Sequence, residues 1–250
     1  MKIALFAEGM TAPDARGFGD QFLPLWRTLL SRAGIGGDVA IHGFHKGHVV
    51  SMTPKYRRYL PFDVHIAQIH RKDPFDVLVI AFDREPRHEG LQHTCRHDEV
   101  KLLLDGLASS TSLPAPFAGD AATLRDGYEA VPRPAPRPPG RPPRLHIDVV
   151  CMEPMFEGLF LEDQAGFREV LGLRGKRVRD WPHWDTRTAR PDRQVLGKAV
   201  ACADAEIRRF MRKPFDQDKH GWAHFLLEKL PDNSPVWGHD IVARLRTVLA

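Results

Sequence analysis

The chain has 250 residues, 42% hydrophobic and 27% charged, enough for one large domain or two small ones and for a core that needs no disulfides. Its three cysteines, Cys95, Cys151 and Cys202, are widely spaced and odd in number, so no disulfide framework is implied and a reducing cytosol is the expected compartment. A formal net charge of +4 permits a polyanionic partner without demanding one.

The first apolar run, Ile3 to Ala7, is too short for a signal peptide, and no run approaches bilayer-crossing length. A soluble, cytoplasmic protein with no membrane partner is expected. KIALFAEG reads as a buried strand ending on Glu8 and Gly9. In FGDQFLPLWRTLLSRAG, Phe22, Leu25, Trp26, Leu29 and Leu30 fall on one helical face. Pro24 suits a first turn, which places the start near Asp20, and Gly34 is the stop. DVAIHGFHKG reads as a second strand with a turn, and YRRYLPFDVHIAQIHRKDP as partly helical, interrupted at Pro61. FDVLVIAFD is a third buried strand. HDEVKLLLDGLA follows as an amphipathic helix with Val100, Leu103, Leu104 and Leu107 on one side.

VPRPAPRPPGRPPR, Val131 to Arg144, holds too many prolines for helix or sheet and reads as an exposed, extended connector, with a nucleic-acid- or partner-binding strap as the alternative that its arginines keep open. LHIDVVCMEP is a fourth strand, with Ile147, Val149 and Val150 as its apolar part. In EPMFEGLFLEDQAGFREVLG, Met155, Phe156, Leu159 and Phe160 repeat at helical spacing. WPHWDTRTARPDRQVL is irregular, and GKAVACADAEIRRFM, GWAHFLLEKL and DIVARLRTVLA are helical runs. Strands alternating with helices predict an α/β fold with a mainly parallel central sheet flanked by helices and a helical C-terminal extension. The domain reading is a core over residues 1–165, interrupted by the connector at 131–144, and a mostly helical part over 166–250.

Functional groups in parallel sheets collect at the carboxyl ends of strands. Glu8 ends the first strand, Asp83 ends the third with Glu85 two residues on, and Glu153 follows the fourth. Glu157 shares a face with Glu153 if that segment is helical. Carboxylates gathered in this way repel one another unless a cation compensates. A hard divalent ion such as Mg²⁺, which prefers oxygen ligands, answers that need.

These residues carry a resemblance. LFAEG with Glu8, and VLVIAFDRE with Asp83 and Glu85, resemble a TOPRIM domain, the fold of topoisomerases, primases and OLD-type nucleases. Its signature is a Glu ending the first strand and an Asp-x-Asp ending a later one; here Glu85 stands for the second Asp, on a longer arm. VVCMEPMFEGLFLED resembles an uncharacterised TOPRIM-like branch known as a domain of unknown function. Its members carry a similar Glu-x-x-Phe-Glu-x-Leu-Leu stretch and are often encoded beside AAA or ABC-type ATPases in a setting of phage defence.

The resemblance covers the sheet-forming parts of the first 165 residues. It implies a TOPRIM-like fold and a Mg²⁺- or Mn²⁺-dependent nuclease or phosphodiesterase acting on nucleic acid, with an ATPase partner. Glu8 would be general base or metal ligand, Asp83 a catalytic metal ligand, Glu85 a further ligand, and Glu153 and Glu157 a second acidic cluster. The replacement at Glu85 keeps open an alternative, an interaction subunit that retains the fold without the chemistry.

Arg174, Lys176 and Arg177 in GLRGKRVRDW, with Lys219 in DQDKHGW, are candidate phosphate contacts. Lys219 and His220 are expected in a polar turn before a helix. His42, His45 and His48, and the group His93, Cys95, His97 and Asp98, lack the CxxC or HExxH patterns of zinc sites. Trp181 and Trp184 read as core or as stacking platforms for bases. No GxGxxG or GxxxxGK[ST] loop is present, which argues against a dinucleotide or P-loop nucleotide enzyme.

Overall fold

The computed structural model describes residues 2–9, 22–49, 51, 57–83, 97–130, 147–152, 156–188 and 190–249. The expectations for Asp20, Glu85, His93, Cys95, Glu153, Met155 and the connector at 131–144 lie outside the described residues, as do the side chains of His97, Asp98 and Cys151. By contact the chain forms two compact units, residues 1–16 with 37–151, and residues 17–36 with 152–250. The second unit includes helix α1 (Phe22–Arg32).

The first unit is built on a four-stranded, all-parallel sheet of β1 (Ile3–Glu8), β2 (Val39–Phe44), β3 (Val77–Asp83) and β4 (Ile147–Met152). The strand order is β2-β1-β3-β4, and Ile3 of β1 sits opposite Val39 on one side and Val77 on the other. The apolar runs explain the placement: every residue of β3 from Val77 to Phe82 is buried, and so are Ile3 to Ala7 of β1. Such runs belong to central parallel strands.

Among the described residues this unit also has four helices: α2 (Lys46–Val49), α3 (Phe62–Lys72), α4 (His97–Ala108) and α5 (Ala115–Ala130). Phe62 and Ile66 of α3, the apolar stripe of α4 at Val100, Leu103, Leu104 and Leu107, and Phe117 and Ala121 of α5 share one core with Phe6, Leu78, Ile80 and Phe82. Pro61, expected as an interruption, stands at the N-cap of α3. A residue without an N–H costs a helix nothing at that end. Helix α5 is an element that the sequence reading passed over. Its inward stripe is Phe117, Ala121 and Leu124, thinned by a small residue, with Gly119 and Gly127 in the same helix.

The second unit is helical. After α1 it contains a 3₁₀ segment (Phe156–Glu162), α6 (Gln164–Val170), a π-helical turn (Asp192–Leu196) running into α7 (Gly197–Ala201), α8 (Ala205–Met211), α9 (Lys219–Lys229), a 3₁₀ turn (Pro235–Gly238) and α10 (Asp240–Leu249). The single helical run expected over GKAVACADAEIRRFM is two helices. Asp204 breaks it by capping α8, its carboxylate accepting from the Glu206 N–H at 3.1 Å. The segment carrying Glu157 is a 3₁₀ helix, and the expected face shared with Glu153 rests on a residue outside those described.

The face read from α1 is buried in full, and α1 packs on α9. Arg32 fixes the contact. Its guanidinium donates to the carbonyls of Leu227 (3.2 Å), Glu228 (3.2 Å) and Leu230 (2.6 Å), acceptors that the end of α9 leaves without helical partners. Arg246 of α10 donates in turn to the Ala33 carbonyl at 2.7 Å. Among the described residues no helix is long and apolar enough to cross a membrane.

Candidate functional site

In the order β2-β1-β3-β4 the chain runs from β1 outward to β2, then returns past β1 to β3. Open parallel sheets place their ligands beyond the carboxyl ends of strands at such a reversal. Glu8 is the last residue of β1 and Asp83 the last of β3. These two strands are neighbours, so the two acids end side by side, and Glu8 Oε2 accepts the Asp83 backbone N–H at 3.2 Å. Gly9 then leaves the strand at φ +139°, a backbone state that side-chain-bearing residues rarely adopt, while its N–H donates to the Phe44 carbonyl at 3.3 Å. The sheet has therefore brought Glu8 and Asp83 together. Among the described residues no group of three or more His, Cys, Asp or Glu side chains is arranged to hold a metal ion. Two hard oxygen donors at one edge fit an ion of the Mg²⁺ class, which commonly takes one or two carboxylates and completes its shell with water and phosphate.

Glu157 has different company. Its carboxyl group is sunk in the second unit, where burial pushes its pKa up against the pull of Lys219; its own backbone hydrogen bond also lowers it, Asp192 raises it and Arg190 lowers it. Asp192, in the π-helical turn, has a fully buried side chain. Arg190 grips it through Nε (3.2 Å) and Nη2 (3.3 Å), and Lys219 Nζ reaches Oδ2 at 2.5 Å. Burial alone would raise the Asp192 pKa; the Arg190 and Lys219 bonds outweigh it and hold the carboxyl below the ordinary aspartate range. The expected polar turn at Lys219 is the first turn of α9, capped by Asp218, whose carboxylate accepts the Gly221 N–H at 3.0 Å. The His220 ring packs edge-on to Phe22 at 5.5 Å, and burial lowers its pKa.

The other candidate phosphate contacts are exposed. Arg174 pairs with Glu169 at 3.0 Å, Lys176 pairs with Asp204 at 3.0 Å, and Arg177 is exposed beside them in sequence. Trp184 donates to the Leu161 carbonyl at 2.9 Å and packs on Phe167, with Trp181 stacked parallel to it at 5.6 Å. The histidines of HGFHKGH are ring-packed: His45 stacks on Tyr59 and His48 on His65, at 4.5 and 4.4 Å. Burial, with His48 alongside, lowers the His65 pKa to about 4.

Asp192 and Arg190 form a functional-looking group that sequence reading missed. Its signal was present in ARPDRQ, where Pro191 precedes an acid flanked by two arginines, but the stretch lacks helical periodicity. No protein-family model matches the chain, and neither a curated protein nor a solved structure does.

Proposed function

We propose that the chain is a divalent-metal-dependent nuclease or phosphodiesterase of TOPRIM type, with Glu8 and Asp83 at its centre. The observation that supports the reading is the position of these two acids at the carboxyl ends of the adjacent strands β1 and β3, with the Glu8 carboxylate on the backbone N–H of Asp83, where the strand order reverses. Mg²⁺ or Mn²⁺ bound there would supply an activated water and charge compensation on a phosphate oxygen. Asp83 serves as ligand, and Glu8 as ligand or as the base that takes a proton from water. Glu85 and Glu153 belong to this proposal on sequence alone. Glu157 belongs to it on sequence alone as well, and its carboxyl group feels Lys219, Asp192 and Arg190 of the second unit. Nucleic acid as substrate, an AAA or ABC-type ATPase as partner and a place in antiviral defence follow from the resemblance of the two acidic motifs.

Asp83→Asn is the test. Glu8 bonds to the backbone N–H of residue 83, which the substitution keeps. Stability without metal is expected to hold within about 1 kcal/mol, or to rise slightly as repulsion is relieved. Thermal melts with and without Mg²⁺ or Mn²⁺, paired with plasmid cleavage, should show metal stabilisation and cutting in the natural chain and loss of both in the variant. Metal-independent melts and no cleavage by the natural chain would sink the catalytic reading and leave the interaction subunit.

A further inference from the structure

The second unit contains an open basin of about 760 Å³ between the π-helical turn, α7 and the segment that joins α8 to α9. Five cations line it: Arg193, Lys198, Arg208, Arg212 and Lys213. All five are exposed. None makes an ion pair with an acid among the described residues, whereas Arg174, Lys176, Arg190 and Lys219 elsewhere in this unit all do. Only two acids line the basin, and one of them, Asp192, is already bound by Arg190 and Lys219. Five cations against two carboxylates concentrate here most of an excess that is only +4 for the whole chain. The floor is apolar, made of the buried Val200, Phe215 and Trp222.

Two features show that the rim is held in place. Arg212 has φ +60°, and no other non-glycine residue among those described has positive φ. Such strain costs energy and persists where surrounding bonds enforce it. Here the Trp222 indole N–H donates to the Lys213 carbonyl at 2.9 Å, and the Arg212 N–H donates to the Arg208 carbonyl at 3.1 Å. Two further rings, outside the basin's lining, continue from Trp222. Trp222 packs edge-on to Phe225 at 6.1 Å, and Phe225 packs on Phe210 at 6.0 Å. Phe210 is 71% exposed, the most exposed large apolar side chain among the described residues.

We propose that this basin binds single-stranded nucleic acid, with phosphates on the cationic rim and an unstacked base on Phe210. A tracked polyanion explains unpaired cations spread along a rim, and a base explains a bare aromatic ring that carries no charge of its own. Single strands suit it better than duplex, whose bases are not free to stack on a side chain. The site uses neither Glu8 nor Asp83, so it stands apart from the catalytic proposal.

The experiment is fluorescence anisotropy of the full chain with a labelled oligo-dT and with a duplex of equal length, in EDTA, across a salt series. The natural chain should bind the single strand more tightly than the duplex. Lys198→Ala with Arg208→Ala should weaken binding and reduce the salt slope by about 1.4, at about 0.7 per lost phosphate contact. Phe210→Ala should cost about tenfold in affinity and leave the slope unchanged. Arg125→Ala, which removes a cation paired with Asp105 and Asp126 outside both proposed sites, should bind as the natural chain does. No binding by the natural chain, equal binding of duplex, or basin variants that match the natural chain overturns the proposal. The catalytic reading fails separately, by absence of metal-dependent stabilisation and cleavage.

Discussion

Glu157 and His65 are both half-buried titratable groups, yet burial gives them opposite pH signatures. The His65 pKa falls to about 4, so between about 6.5 and 4 the unfolded chain binds a proton that the folded chain refuses. Its contribution is whole above that window and is lost as pH falls through it. The Glu157 pKa is raised, so the folded chain holds a proton that the unfolded chain releases. Its contribution is whole below the ordinary glutamate range and is lost as pH rises above it. Glu157→Gln keeps the shape and removes the titration. The variant should therefore be more stable than the natural chain at pH 8, with the advantage shrinking toward pH 4. Urea unfolding of both proteins at several pH values measures this. A variant that is less stable at pH 8 would mean that Glu157 is ionised and paired with Lys219.

Two helices of the second unit start on the same device. Asp163 caps α6 by accepting the Gly166 N–H at 2.8 Å, and Asp218 caps α9 by accepting the Gly221 N–H at 3.0 Å. In each Asp-x-x-Gly the glycine is required by the closeness of the cap, since an added Cβ would lie 2.3 Å from the aspartate Oδ2. The Asp163 carboxylate does more, because its Oδ2 also accepts the hydroxyl of the buried Ser234 at 2.6 Å. Asp218→Ala should cost about 1 kcal/mol, and Asp163→Ala more, by about another 1–2 kcal/mol for the stranded hydroxyl. Chemical denaturation of the two variants side by side checks the order; equal losses would refute the second role of Asp163. The α1, α4 and strand patterns were legible because their apolar residues recur at a clean period. Helix α5 was not, because Ala121 stands where a large residue would have marked the stripe. The Glu8–Asp83 pair was legible as two strand ends, since adjacency follows from strand order. The Asp192 network was not, because it joins Arg190, Asp192 and Lys219 through a π-helical turn that has no sequence period.

For the molecule as a whole, chain order and packing order differ. Residues 17–36 leave the first unit after β1 and belong by contact to the unit that resumes at Met152. A fragment of residues 152–250 would therefore lack α1. It would expose the face of α9 that now packs on α1, whose own buried side is Phe22, Leu25, Trp26, Leu29 and Leu30. Burying a leucine-sized side chain contributes about 1.5–3 kcal/mol, so losing these large partners exceeds what a unit of this size can spare. The carbonyls of Leu227, Glu228 and Leu230 would also lose Arg32, and Arg246 would lose the Ala33 carbonyl. The fragment alone is expected to melt without a cooperative transition, and a peptide of residues 17–36 added in trans should restore one. Arg32→Ala in that peptide should weaken the restoration, since the guanidinium ties three carbonyls at the end of α9. Circular dichroism melts of fragment, fragment with peptide and fragment with variant peptide decide the matter. A sharp transition from the fragment alone, unmoved by the peptide, would show that α1 is dispensable to the second unit.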